Sequence, residues 1–281
     1  MPSSLLPLVI FNPNPSLEYF KRFAKILITV SFHIIIFPNS LIKNLKSKIF
    51  TFFICLWGAI IPILYSFTFI TRNSKTADHG AKTWAKFSLW MLKKICGIDY
   101  KVLGLDKIPD DACIIACKHQ SMWETIVMHL LMNRPVYAYK KELLKIPFYG
   151  WFVAKMSGII VDRKGGASAL KSLLSQSKKY LNDNRVVIIF PQGTRTKINA
   201  SIADYPYQSG IVGLYSAMNV KIIPAALNSG IYWGKKGLSG KKGTITLEFL
   251  PAINPGLDKK EFISKLENVI ERKSEELASR H

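Results

Sequence analysis

Acidic residues are scarce in this sequence: 18 Asp and Glu stand against 39 Lys and Arg, a formal net charge of +21. That balance excludes an acidic, solvating chain and favours a polyanionic partner, whether nucleic acid, an anionic bilayer surface or a phosphorylated substrate. Cysteine is sparse as well. Cys55, Cys96, Cys113 and Cys117 lie in or beside apolar runs, without the spacing of a disulfide framework, which fits a reducing compartment. Cys113, Cys117 and His119 fall at ligand-like intervals, but no CxxC pair accompanies them and no metal is assigned. Three catalytic strings are missing altogether. There is no Gly-x-Ser-x-Gly, and Ser209 within Tyr207–Ile211 lacks both glycines of that elbow; there is no Walker A string and no Gly-x-Gly-x-x-Gly. These absences argue against an elbow-type serine hydrolase, a P-loop nucleotidase and a dinucleotide-binding fold.

What is present is apolar. Hydrophobic residues make up 49% of the 281 residues and charged ones 20%, so the chain folds, with room for one core plus an appendage. Residues 1–48 are hard to classify. Ile26–Phe37 is an apolar run too short to span a bilayer, suited to an interfacial or re-entrant segment, and the leader does not read as a cleavable signal. Ile49–Thr71 carries no charge over 23 residues, with Lys43, Lys46 and Lys48 before it and Arg72 and Lys75 after. That length predicts a membrane anchor, either crossing the bilayer or bent at Pro62 within one leaflet; a buried core helix is the rival reading. Residues 1–75 are therefore expected to anchor the protein and 76–281 to form the catalytic domain.

From Lys82 to Ile95, apolar residues recur at helical spacing, followed by seven short apolar runs at 100–102, 113–116, 136–139, 158–161, 185–190, 221–227 and 244–250. Helical patterns fall between them at 122–132, 167–182 and 210–218, and a last amphipathic helix spans 258–278. Strand and helix in alternation predict an α/β fold: a central, mostly parallel sheet flanked by helices, with the N-terminal hydrophobic helical anchor attached.

Three segments carry chemistry. In Lys118–Thr125, directly after an apolar strand, His119 is suited to proton abstraction and Glu124 to holding its second ring nitrogen. Residues five apart diverge on one helix, so the pair meets only if His119 stands in the loop and Glu124 in the first helical turn. Ser121 as N-cap gives that arrangement, and Ser121-x-x-Glu124 is equally a capping box. In Phe190–Thr196, again after an apolar strand, Gly193 permits close backbone approach, Thr194 offers a hydroxyl and Arg195 suits a phosphate; a solvated turn is the plain alternative. In Lys140–Gly150 and Gly158–Arg163, basic residues sit beside aromatic and aliphatic ones, as an acidic headgroup above an acyl tail would require.

Taken in order, these segments resemble the glycerolipid acyltransferase family, which includes the 1-acylglycerol-3-phosphate acyltransferases. The matching blocks are His119–Glu124 for His-x4-Asp, Gly158–Arg163 for the glycine-led strand ending in Asp-Arg, Phe190–Thr196 for Phe-Pro-Glu-Gly-Thr-Arg-Ser, and Ile222–Ala225 for the strand with a central proline. Two departures stand out: Glu124 replaces the family's aspartate and Gln192 its glutamate. The resemblance implies a catalytic His119 oriented by Glu124, and an acceptor phosphate held by Arg195 with Lys141 or Arg163, in a pocket shaped by Gly193 and Thr194. It also implies acyl-CoA or acyl carrier protein as co-substrate, no further cofactor and no metal, and phosphatidic acid as product. The expected partner is membrane lipid rather than nucleic acid, at a bacterial inner membrane or its equivalent, with the site on the cytoplasmic side. Another lysolipid acceptor, such as a lyso-ornithine lipid, and a non-enzymatic basic binding protein are the alternatives.

Overall fold

The computed structural model describes residues 41–65, 74–145, 158–162 and 165–280. The Ile26–Phe37 segment, the end of the uncharged run beyond Tyr65, and Arg163 lie outside the described residues. Residues 40–281 cluster as one compact unit.

Seven strands form the main sheet: β1 (Ile98–Leu103), β2 (Ile114–Cys117), β3 (Val136–Lys140), β4 (Ile159–Val161), β5 (Val187–Ile189), β6 (Ile222–Leu227) and, after a short hairpin of β7 (Trp233–Gly234) and β8 (Gly237–Leu238), β9 (Gly243–Phe249). Every one of the seven apolar runs in the sequence is a strand of this sheet. Its order is β1-β9-β6-β2-β5-β3-β4. All neighbours are parallel except β6 and β9, which pair antiparallel. The sheet is thus mostly parallel, as the alternating pattern predicts. The reversal at β9 follows from its connection, a compact hairpin rather than a helical crossover.

Helices cover both faces. α1 (Leu41–Leu64), α2 (Ser74–Met91), which widens into a π-turn at Leu92–Cys96, and α3 (Trp123–Leu131) lie on one side; α4 (Gly166–Asn182), α5 (Ser209–Ala217) and α6 (Lys259–Ser279) lie on the other. Strand β2 shows why two helical layers are needed. All four of its residues are fully buried; Ile115 and Cys117 pack with Phe50, Leu92 and Trp123, while Ile114 and Ala116 pack with Leu214, Phe262 and Ile270. Successive side chains point to opposite faces, so an apolar run without polar alternation requires cover on both. Gly97 ends the π-turn at φ 68° and turns the chain into β1.

Among the described residues, no helix is long and apolar enough to cross a membrane. Of the two anchor readings, crossing the bilayer finds no support in the described residues. α1 begins at Leu41, within the lysine-bearing stretch, and its Phe50, Ile54 and Ile61 are buried in the protein. A helix that gives one face to the core is not free to be surrounded by lipid.

α6 closes the molecule. Asp258 caps it, its Oδ1 accepting from the Lys260 and Glu261 N–H groups at 2.8 and 2.9 Å, and Phe262, Leu266, Ile270 and Leu277 form its buried stripe. Phe262 stacks on Tyr215 with ring centroids 3.7 Å apart. Phe262→Ala is expected to cost about 3–5 kcal/mol of unfolding free energy, read as a lower urea midpoint at unchanged slope.

Candidate active site

Three adjacent parallel strands, in the order β6-β2-β5, end at the same edge of the sheet. His119 follows β2, Gln192–Arg195 follow β5, and Ser229 follows β6. This is the edge at which open α/β sheets place their ligands, because the chain leaves each strand there with free backbone and loop side chains.

The Glu124 carboxylate organises the His119 loop. It is fully buried on the first turn of α3, and His119 stands in the loop before it, the arrangement the five-residue spacing demands. His119 Nδ1 lies 2.8 Å from Glu124 Oε1. The same oxygen accepts from the Gln120 and Ser121 backbone N–H groups at 2.6 and 2.7 Å, and Oε2 accepts from the Ser229 hydroxyl at 2.9 Å. Ser121 Oγ accepts from the Trp123 N–H at 3.0 Å. The N-cap of α3 is Met122 rather than Ser121, without a side-chain cap bond, so Glu124 Oε1 ties down the preceding loop and holds the ring at once. The glutamate that replaces the family's aspartate keeps the contact with the ring.

Two backbone N–H groups and a hydroxyl already donate to this carboxylate, so its oxygens act as acceptors and His119 Nδ1 carries the proton that points at it. Nε2 is left with its lone pair. Phe190 stacks on the imidazole, with centroids 4.0 Å apart and planes inclined by 17°, and limits its rotation. The Thr196 N–H and hydroxyl both donate to the His119 carbonyl, at 2.8 and 3.1 Å, joining the histidine loop to the arginine turn.

A cavity of about 740 Å³ opens between these groups, with His119, Gly193 and Arg195 in its walls. The rest is mostly apolar: Ile61 of α1, Trp84 of α2, Tyr137 and Tyr139 of β3, Leu170 and Leu173 of α4. Gly193 sits at φ 66°, a conformation that favours glycine, and its N–H closes the turn onto the Phe190 carbonyl at 2.8 Å. Among the described residues Arg195 has no carboxylate partner, which leaves its guanidinium available to an anion. Thr194 lies in the same turn but is not part of the cavity wall. Lys141 is exposed and pairs with Asp162 at 3.3 Å. Ser229 and Gln120, whose Oε1 accepts from the Gly230 N–H at 3.0 Å, carry no local sequence signal. They stand two residues past β6 and three past β2, near His119, which is two past β2.

The thiols take no part. Burial pushes Cys117 well above the ordinary thiol range, reinforced by the Glu124 charge, and raises Cys113 to about 11. Among the described residues, no three His, Cys, Asp or Glu side chains are grouped to hold a metal ion.

The chain matches the family model "Acyltransferase" over residues 99–228, the interval that holds His119, Glu124, Gly193 and Arg195. It is 31% identical over 226 residues to the 1-acyl-sn-glycerol-3-phosphate acyltransferase of Pseudomonas aeruginosa, covering 80% of each chain. The chain belongs to this acyltransferase family. The Bacillus subtilis enzyme of the same name is 32% identical over 161 residues, which cover 54% of this chain and 76% of that one. The fold agrees with the crystal structure of the 1-acyl-sn-glycerophosphate (LPA) acyltransferase PlsC from Thermotoga maritima: TM-score 0.66 at 19% identity, covering 85% of this chain and 99% of that one.

Within this acyltransferase two buried polar groups yield measurable consequences. Ser229→Ala removes the one donor to Glu124 Oε2 among the described residues and is expected to cost about 1–3 kcal/mol, seen as a lower melting temperature. His129, on the α3 face towards the cavity, is 7% exposed, and its Nδ1 has no partner. Burial first, and the Lys82 ammonium second, lower its pKa from 6.5 to about 4. Between those two values the unfolded chain binds a proton that the folded chain does not. Stability is therefore fully present above pH 6.5 and falls as pH drops towards 4, with a limiting slope of ~1.4 kcal/mol per pH unit. His129→Leu is expected to flatten the fall in melting temperature between pH 7 and pH 5.

Proposed function

We propose that the protein transfers a fatty-acyl group from acyl-CoA or acyl carrier protein to the sn-2 hydroxyl of 1-acylglycerol-3-phosphate, giving phosphatidic acid. The observation that carries this reading is the shared cavity: an imidazole fixed through Nδ1 by a buried carboxylate, and an unpaired guanidinium, at the polar end of one apolar hollow.

The chemistry follows from the geometry. His119 Nε2 takes the proton of the acceptor hydroxyl while that oxygen attacks the thioester carbonyl carbon, and Glu124 stabilises the imidazolium that forms. Collapse of the tetrahedral intermediate breaks the C–S bond, and the imidazolium returns its proton to the departing thiolate. No acyl-enzyme is required, which agrees with thiols held protonated by burial. Arg195 grips the acceptor phosphate through two parallel charge-assisted hydrogen bonds, and the glycine beside it keeps the turn open. The apolar walls accommodate hydrocarbon chains.

Membrane attachment in this proposal is interfacial. The outer face of α1 exposes Leu45, Ile49, Phe52, Phe53 and Leu56 at helical spacing, and Trp90 of α2 is 54% exposed. Lys46, Lys86, Lys93 and Lys94 are also exposed. An amphipathic helix of this composition lies in one leaflet with its basic side chains at the level of anionic headgroups.

The purified protein, given labelled acyl-CoA or acyl carrier protein and a panel of lysolipids, is expected to acylate 1-acylglycerol-3-phosphate. Turnover of a different lysolipid in its place would refute the acceptor assignment. His119→Ala is expected to lower kcat by about 10²–10⁴-fold with folding unchanged. Arg195→Ala is expected to raise the acceptor KM about tenfold or more, by loss of a charged hydrogen-bonded contact, while the donor KM stays near its original value.

A further inference from the structure

Beneath the cavity a second carboxylate joins the two loops that carry the chemistry. Glu271 sits on α6, far from the site in sequence. Its Oε2 accepts from Lys118 Nζ; its Oε1 accepts from Gln192 Nε2 at 3.2 Å and from the Tyr207 hydroxyl at 2.9 Å. Each donor holds a different piece of the active edge. Lys118 immediately precedes His119 at the end of β2. Gln192 immediately precedes Gly193 in the arginine turn after β5. Tyr207 leads into α5, and the next residue, Gln208, gives its N–H to the Pro191 carbonyl at 2.8 Å.

Glu271 is the carboxylate that Lys118 contacts directly, and Glu267, one turn earlier on α6, adds a second negative charge that acts on Tyr207 and Glu271. The Lys118 side chain is 3% exposed, Gln192 is 4% exposed, and the Glu271 side chain is 13% exposed. A buried ammonium requires a carboxylate beside it, and the cluster supplies one. Gln192 directs its amide donor at Glu271, which leaves its Oε1 buried without a partner. A carboxylate at position 192 would set a further anion against one ammonium, and would have no proton to offer Glu271.

We infer that Glu271 is a positioning residue for acyl transfer: it neutralises Lys118, holds Gln192, and so fixes the separation between the His119 base and the Arg195 anion site. The negative charge that the related strings carry at the Gln192 position is supplied here by the closing helix. The inference rests on the acyl-transfer reading, since the separation it sets is between base and phosphate site. It also explains why a neutral amide is tolerated inside the arginine turn.

The test is a cycle of four proteins: the unaltered chain, Glu271→Gln, Gln192→Glu, and the two changes together. Glu271→Gln leaves the Lys118 ammonium without its counter-charge and loosens both loops; kcat is expected to fall about a hundredfold, as for an ångström-scale misplacement, with a higher acceptor KM. Gln192→Glu alone is also expected to lower activity, by crowding two carboxylates. The double change restores one anion, one amide and one ammonium, and is expected to recover activity to within about tenfold of the original, the signature of coupled rather than additive sites. A double variant no better than Glu271→Gln, or a Glu271→Gln protein with the original kcat and KM, would overturn the inference. Where Glu271→Gln does not accumulate as folded protein, folding of the double variant is the rescue, and failure of both refutes it. Thermal unfolding of the same four proteins reads the coupling without turnover. Should the unaltered chain transfer no acyl group, the proposed reaction fails, and the melting temperatures still decide whether positions 192 and 271 exchange one charge.

Discussion

A single buried carboxylate holds the working edge of this protein together. Glu124 has no exposed surface, and an anion so placed survives only if hydrogen bonds replace its water. Its donors come from the ring of His119, from the backbone of Gln120 and Ser121, and from the Ser229 hydroxyl across the neighbouring strand end. The backbone donors belong to the loop just before α3, which starts at Trp123 after Met122. Fixing that loop and orienting the imidazole are therefore one event: the conformation that brings both N–H groups to the carboxylate also aims Nδ1 at it. An extra methylene relative to aspartate does not disturb this, because the backbone groups and the hydroxyl locate the oxygens.

That carboxylate is useful only because the sheet brings other strand ends to it. β2 lies between β6 and β5, and all three run the same way. Loops carrying His119, Arg195 and Ser229, well separated in sequence, thus emerge side by side. The antiparallel entry of β9 beyond β6 leaves this triplet unaltered, and α6 returns beneath it to present Glu271. The active edge is consequently braced by two carboxylates, one from the first turn of α3 and one from the last helix.

Sequence reading recovers the strands well because each is buried on both faces, and burial on both faces leaves an unbroken apolar run. The His119–Glu124 pair is legible for a related reason: cap, spacing and preceding strand all act within ten residues. Ser229 and Glu271 are not legible, since their roles arise from pairing across 105 and 153 residues with Glu124 and Lys118. A serine after a strand and a glutamate on an amphipathic helix look ordinary until the topology sets them against a partner. The uncharged run of residues 49–71 leaves more than one reading open. Its length suits a bilayer span, yet the part described as helix buries Phe50, Ile54 and Ile61 in protein while leaving Phe52, Phe53 and Leu56 outside. Hydropathy measures how apolar a segment is; whether protein or lipid supplies the apolar surroundings depends on what packs against each face.

The double-sided character of α1 also bears on how a lipid substrate would reach the site. Gly58 and Ile61 form part of the cavity wall, while Ile63 and Leu64 near the same end of the helix are 47% and 59% exposed. One helix thus borders both the hollow and the uncovered apolar surface. With α1 resting in a leaflet, as proposed, an acyl chain would pass from lipid to cavity along continuous hydrocarbon, and its apolar surface would not be exposed to water on the way. The polar end would then meet Arg195 and His119 at the strand edge, where the charged groups stand. This ordering places desolvation of the chain and capture of the phosphate at opposite ends of one cavity, so that each contributes to binding without opposing the other.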